Sequence, residues 1–192
     1  VYTSFQGAAA DCTFTLGRHH FLTEQAILEA GIPHTFLRDS LYQDVLPYFP
    51  GADGVIRAPA GTGRLAAVAR DDVAEVAAIS LLDPAAHHDQ AYVMTGPEAL
   101  TMDEVATILS RHAPLPIRYE AETVEEAYAS RAHFGAPDFE VEGWVTSYTA
   151  IAEGEMAPLS DDVERLTGHP PLSLEAFLQQ EPPTWPQLAA DP

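Results

Sequence analysis

The sequence predicts an α/β protein built on a parallel sheet. Three observations carry that expectation. Residues 1–5 (V-Y-T-S-F) and 34–38 (H-T-F-L-R) are short runs rich in β-branched and aromatic side chains, the composition of strands. A full helical pattern over residues 18–30 lies between them, and strand, helix, strand in that order requires a right-handed crossover between parallel neighbours. The strands are nearly continuously apolar or β-branched rather than alternating, as in sheets covered on both faces.

Each element has its own signal. Residues 6–17 are small, polar and Gly-bearing, hence a loop. Phe21, Leu22, Ala26 and Leu28 supply the apolar positions of the first helix, Gly31 stands at its C′ stop, and Pro33 blocks continuation. Asp39 or Ser40 is placed to cap a short helix running through Tyr48. Short strands are expected at 54–57 and 65–69 around the turn A-G-T-G (60–63). Asp71 or Asp72 is expected to cap a helix through Leu82, since Asp72 and Glu75 have capping-box spacing. A strand follows at 91–95. Thr101 with Glu104, and Thr123 with Glu126, are two further capping boxes, with a strand at 117–121 between them. Helices are expected at 138–155, at 161–167 closed by Gly168, and at 173–180. Three segments result: 1–96 with the parallel strands, 97–180 as a mostly helical, acidic subdomain, and 181–192 as a loosely held tail; the resemblance described below makes the first the later part of an NAD(P)-binding domain and the second its substrate side.

Charge removes several function classes. The 192 residues carry 9 basic and 29 acidic side chains, a formal net charge of −20, and every basic residue is Arg. With no Lys, Schiff-base, P-loop and Tyr-x-x-x-Lys lysines are impossible within these residues. Nucleic acid and anionic membrane surfaces are poor partners, because both require clustered cations. No eighteen-residue apolar run is present, so no membrane-spanning helix is expected. The single cysteine, Cys12, cannot close an internal disulfide and fits a reducing, cytoplasmic setting as an inert loop thiol.

Candidate chemistry is sparse. His19 and His20 fall in the first turn of the first helix, where the dipole disfavours the imidazolium. A neutral ring there can hydrogen-bond a ribose hydroxyl or a carbonyl. The groups His19, His20, Glu24 and His87, His88, Asp89 lack H-E-x-x-H spacing, so no metal is expected, and His87 and His88 read as solvated loop residues. Ser4 lacks the G-x-S-x-G context of a hydrolase nucleophile. A-G-T-G joins two strands rather than a strand and a helix, and reads as a plain turn. Position is the stronger guide. Ligands of open parallel sheets bind beyond the carboxyl ends of the strands, which here present Thr3-Ser4-Phe5, then Arg38-Asp39-Ser40 with Tyr42 close after.

The ordered string V-Y-T-S-F (1–5), R-H-H-F-L-T-E (18–24), G-I-P-H-T-F-L-R-D (31–39) with Tyr42, A-G-T-G-R-L-A-A-V-A-R-D-D-V-A (60–74), Y-V-M-T-G (92–96), A-L-T-M-D-E-V-A (99–106) and L-T-G-H-P-P (166–171) resembles the NmrA-like atypical short-chain dehydrogenase/reductases, on the branch similar to type-2 NAD(P)H:quinone oxidoreductase. The resemblance runs from Val1 to about Leu178. It implies that the chain begins at the strand equivalent to the family's fourth, without the first half of the Rossmann domain; no G-x-x-G-x-x-G occurs in it. It further implies NADP(H) or NAD(H) as cofactor, with NADPH favoured, and hydride transfer to a quinone or similar small electrophile in the full-length protein. Thr3, Ser4, Phe5, His20, Arg38 and Asp39 would lie along the cofactor, and Tyr42 would line the substrate pocket. His20 occupies the position where related reductases place a lysine, and Leu16 stands where classical members place the catalytic tyrosine. The resemblance leaves oligomeric state open and admits a rival reading, a non-catalytic NAD(P)-sensing regulator. A sugar-nucleotide epimerase would want the missing Tyr-x-x-x-Lys pair.

Overall fold

A computed structural model describes residues 1–188. Its centre is a three-stranded parallel sheet in the order β1 (Tyr2–Phe5), β2 (Thr35–Asp39), β5 (Gln90–Met94). Tyr2 stands opposite Phe36 and Phe5 opposite Asp39; on the other side of β2, Leu37 stands opposite Tyr92 and Asp39 opposite Met94. β2 is covered on both faces, and four of its five residues are buried, the environment its composition calls for. The helix α1 (Thr15–Glu29) joins β1 to β2 and begins three residues before its expected start. It ends as expected, with Gly31 at a φ of +62°.

Two smaller strand pairs complete the molecule. β3 (Val55–Ala58) runs parallel to β7 (Arg118–Ala121), and the two-residue strands β4 (Arg64–Leu65) and β6 (Leu100–Thr101) pair antiparallel. Both pairs cross residue 97. One apolar cluster accordingly gathers Phe5, Phe14, Leu46 and Ile56 together with Met102, Val105, Ile151, Phe177 and Trp185. A second, smaller cluster lies under α2 (Arg70–Leu82) and contains Leu37, Val68, Val76, Tyr92 and Met94.

Two of the three predicted capping boxes form. Thr101 Oγ1 accepts from the Glu104 amide and the Glu104 carboxylate accepts from the Thr101 amide, opening α3 (Met102–Ser110); Thr123 and Glu126 do the same for α4 (Val124–Arg131). α5 (Asp138–Ala152), α6 (Asp162–Thr167) and α7 (Leu174–Gln180) follow, with Gly168 left-handed after α6 and Ser173 capping α7. Two expected caps do not form. α2 begins at Arg70 with Ala69 at its N-cap and no side-chain cap, which puts Asp71 and Asp72 inside its first turn; the Asp72 carboxylate accepts from the Leu172 amide at 2.9 Å. The segment 43–48 is a 3-10 helix entered from Tyr42, with neither Asp39 nor Ser40 capping it.

Two other expectations change. His87 is buried and bonds the Tyr92 hydroxyl at 2.8 Å, rather than being solvated. Cys12 is a buried loop thiol, its Sγ 3.3 Å from the Phe14 carbonyl, in keeping with its expected role. The described part of the expected tail seats Trp185 and Leu188 in the main core, and Gln187 Nε2 donates to the Pro47 carbonyl at 2.6 Å. Residues 189–192 of that tail lie outside the described residues. In A-G-T-G, Gly63 is required by a close approach: a Cβ there would stand 1.9 Å from the Ile151 carbonyl oxygen.

Candidate functional site

The carboxyl edge of the three-stranded sheet collects the predicted residues. The Gln6 amide, just past β1, donates to the Asp39 carbonyl at 2.7 Å, and the Ser40 amide, just past β2, donates to Met94 at 2.9 Å. These backbone bonds place Gln6, Asp39 and Ser40 side by side where the strands stop. All three side chains are buried, and Gln6 Oε1, Asp39 Oδ1 and Ser40 Oγ have no hydrogen-bond partner among the described residues. A buried polar atom without a partner is costly and uncommon. Three lie in neighbouring positions at the carboxyl edge of this parallel sheet, the edge at which ligands of open parallel sheets bind.

Around this edge the predicted residues divide into three groups. Asp39 and Tyr42 form one pair: the Tyr42 hydroxyl donates to Asp39 Oδ2 at 2.5 Å. Burial pushes the Asp39 carboxyl up to about 7, against the lowering pull of that hydrogen bond. Burial also pushes the Tyr42 hydroxyl up, with Asp39 adding to it. The Arg70 guanidinium lies 4.9 Å above the Tyr42 ring and lines an open groove with Asp44, Tyr48 and Phe177.

Ser4, Glu24 and Arg38 form the second group. Glu24 projects from α1 onto the sheet at 1% exposure, where it accepts from Ser4 Oγ at 2.6 Å and from both Arg38 Nε and Nη2. Burial works to raise the Glu24 carboxyl, but the Arg38 and Ser4 hydrogen bonds outweigh it and hold the group ionised below its ordinary value. The functional heads of Ser4 and Arg38 are therefore tied to a residue of α1.

His20 belongs to the third group. Its Nδ1 lies 2.9 Å from the Tyr2 hydroxyl, and its ring stacks loosely on Phe5 at 6.3 Å. Burial lowers its pKa, over the raising effect of Glu24 and with His19 adding to the lowering, so the ring is neutral at pH 7. In the tautomer in which Tyr2 donates to Nδ1, the ring's own proton sits on Nε2 and makes that nitrogen a donor. Phe5 is itself buried against Phe14 at 4.7 Å, and Thr3 is exposed on β1.

Sequence reasoning passed over Gln6, and named Ser40 both as a helix cap and among the residues presented at the strand ends. Both directly follow a strand end, and the rule that ligands sit beyond such ends is the signal that finds them. Glu24 had no signal of its own beyond its helical spacing from His20.

Comparison with known proteins places this edge in context. No family model matches the chain. The NAD(P)H azoreductase of Xenophilus azovorans is 32% identical over 174 residues, 89% of this chain and 60% of that protein. Quinone oxidoreductase 2 of Escherichia coli (strain K12) is 28% identical over 162 residues, 83% of this chain and 56% of that protein. The Citrobacter sp. triphenylmethane reductase solved with NADP(H) superposes with a TM-score of 0.77 at 30% identity, covering 93% of this chain and 63% of that one. Across most of its length this chain is similar to NAD(P)-binding reductases, the likeness that the NmrA-like motifs led us to expect. The solved NADPH complex of the Escherichia coli quinone oxidoreductase agrees, with a TM-score of 0.81 at 26% identity over 93% of this chain and 64% of that one. The fold this chain shares with them is α/β and Rossmann-like, as the sequence led us to expect. The chain spans roughly three fifths of the length of the curated and solved relatives it matches.

Proposed function

We propose that this chain supplies the nicotinamide end and the substrate side of an NAD(P)H-dependent reductase, with NADPH as the preferred coenzyme and a quinone or similar small electrophile as acceptor. The observation that carries the reading is the set of buried, partnerless polar atoms on Gln6, Asp39 and Ser40. A carboxamide offers two N–H donors and one acceptor oxygen. The Gln6 carbonyl accepts, the Ser40 hydroxyl does either, and Asp39 Oδ1 accepts as carboxylate or donates as carboxylic acid. The residues present therefore fit the nicotinamide carboxamide. No G-x-x-G-x-x-G loop occurs in the sequence to cradle the diphosphate.

When bound, a reduced nicotinamide supplies the hydride. The chain's own residues do the rest. Gln6 and Ser40 fix the orientation of the carboxamide. His20 Nε2 donates to a ribose hydroxyl without adding charge. Ser4 and Arg38 act through Glu24, which pins α1 and therefore His20 against the sheet, and Thr3 and Phe5 border the ribose. Tyr42 lines the substrate side, beside the groove of Arg70, Tyr48 and Phe177. Support for NADPH comes from the Escherichia coli and Citrobacter structures, which were solved with NADPH and NADP(H). The electrophilic acceptor rests on relatives that are an azoreductase, a quinone oxidoreductase and a triphenylmethane reductase. No helix among the described residues is long and apolar enough to cross a membrane; we place the protein in the cytoplasm.

Calorimetric titration with NADPH tests the reading. Saturable binding that Ser40→Ala and His20→Ala each weaken about tenfold, one lost hydrogen bond apiece, is the expected result. Binding unaltered by both variants contradicts the placement of the cofactor.

A further inference from the structure

The Asp39–Tyr42 pair has more than a structural role. We propose that Tyr42 delivers a proton to the reduced acceptor and that Asp39 resupplies it, the two acting as a relay from the sheet edge to the substrate. The proposal rests on the hydride-transfer reading given above.

The geometry is that of a shared proton. The 2.5 Å separation of the Tyr42 oxygen and Asp39 Oδ2 is at the short end for an O–H···O contact. Asp39 is 2% exposed, and its second oxygen has no partner among the described residues. A carboxylate whose purpose was to anchor a loop would have both oxygens satisfied, as Glu24 has.

The surroundings favour a protonated Asp39. Its strand neighbour across β5 is Met94, and the cluster packed beside Tyr42 is apolar, with Leu37, Val68 and Val163. The charged groups facing Tyr42 are Arg70 from α2, Asp44 from the 3-10 helix and Asp39 itself. The one cation among them sits over the Tyr42 ring, while the Asp39 carboxyl, raised chiefly by burial, holds its proton up to about pH 7. Tyr42 is pushed above its ordinary value, so it exchanges a proton with its partner rather than standing as a phenolate.

The balance is simple. Hydride transfer oxidises the dihydronicotinamide and leaves the two-electron-reduced acceptor with one negative oxygen. The Tyr42 O–H bond breaks as the acceptor's O–H bond forms. The Asp39 carboxyl O–H then breaks to restore the Tyr42 O–H, and the Asp39 carboxylate takes its proton back from water.

Two experiments on the protein as the cell makes it decide the matter. The first needs no cofactor. Infrared titration of the wild type should show a protonated-carboxyl band that disappears as pH rises through about 7. The band should be absent in Asp39→Asn and shifted in frequency in Tyr42→Phe. A wild type with no carboxyl titrating above pH 5 overturns the relay. The second follows NADPH oxidation by menadione. Tyr42→Phe should lower kcat about 100-fold with little change in KM, and Asp39→Asn should lower kcat and remove its decline above pH 7. Wild-type turnover with Tyr42→Phe at full rate overturns the relay and leaves the hydride-transfer reading standing. A wild type that neither binds nor oxidises NADPH overturns both.

Discussion

Arg38 grips Glu24 with two parallel hydrogen bonds, Nε to Oε1 at 2.9 Å and Nη2 to Oε2 at 2.6 Å. The pair joins the middle strand of the sheet to α1 across a nearly dry interface, with Glu24 at 1% side-chain exposure and Arg38 at 34%. Removing one partner of such a pair strands a buried charge. Arg38→Met is therefore expected to cost about 3–5 kcal/mol, and the double variant Glu24→Leu/Arg38→Met should recover most of that loss. Urea unfolding of the single and double variants checks it. Equal losses in both would mean that the pair does not act as a unit.

Thr101 and Thr123 give the helix-start prediction. Each accepts from the amide three residues on, and each helix has a glutamate that returns the bond. Thr101→Ala and Thr123→Ala should each lower stability by about 1 kcal/mol, with the losses additive because the two boxes share no partner.

These two boxes also show what was legible in advance. Some local chemistry was readable: the Thr101 and Thr123 capping boxes, and the glycines Gly31 and Gly168 that close helices at positive φ. Strands β1, β2 and β5 were found to within one residue at each end, because strands buried on both faces have an unambiguous composition. Contacts between residues distant in sequence were hidden. Nothing near Asp72 indicates that its carboxylate serves Leu172, a hundred positions on. Nothing in P-P-T-W-P indicates that Trp185 fills the core. Within the site, Asp39 and Tyr42 were both selected by position, but their mutual hydrogen bond and the partnerless atoms of Gln6 and Ser40 depend on packing that composition does not encode.

Gly63 should not tolerate a side chain. A Cβ would meet the Ile151 carbonyl oxygen at 1.9 Å and the Ala152 Cα at 2.8 Å, both backbone atoms that cannot turn aside. Gly63→Ala is expected to cost about 3 kcal/mol by forcing α5 away from β4. Gly61→Ala, with nothing within 4 Å but a φ of +53°, should cost only about 1 kcal/mol. Thermal unfolding of the two variants side by side measures the contrast, and equal losses would place the close approach elsewhere.

Asp39 sets a pH dependence of stability. Its carboxyl is raised from 3.8 to about 7 on folding, so the folded chain keeps a proton that the unfolded chain has already lost. Its contribution therefore favours folding at low pH and fades as pH rises from about 4 to about 7. Asp39→Asn removes that ionisation. The variant should match the wild type near pH 4 and become the more stable of the two by about 2–4 kcal/mol at pH 8. A stability difference independent of pH would show that Asp39 titrates normally.

The central claim is that the sheet edge of Gln6, Asp39, Ser40 and Tyr42 serves hydride transfer from NAD(P)H. The most direct measurement follows the loss of reduced-nicotinamide absorbance when the protein is mixed with NADPH and menadione. The account predicts NADPH consumption that saturates in quinone, one NADPH per quinone reduced, and a rate that falls sharply in Tyr42→Phe. Tight NADPH binding with no consumption, on menadione or any other quinone offered, would contradict it and favour a protein that senses the coenzyme without turning it over.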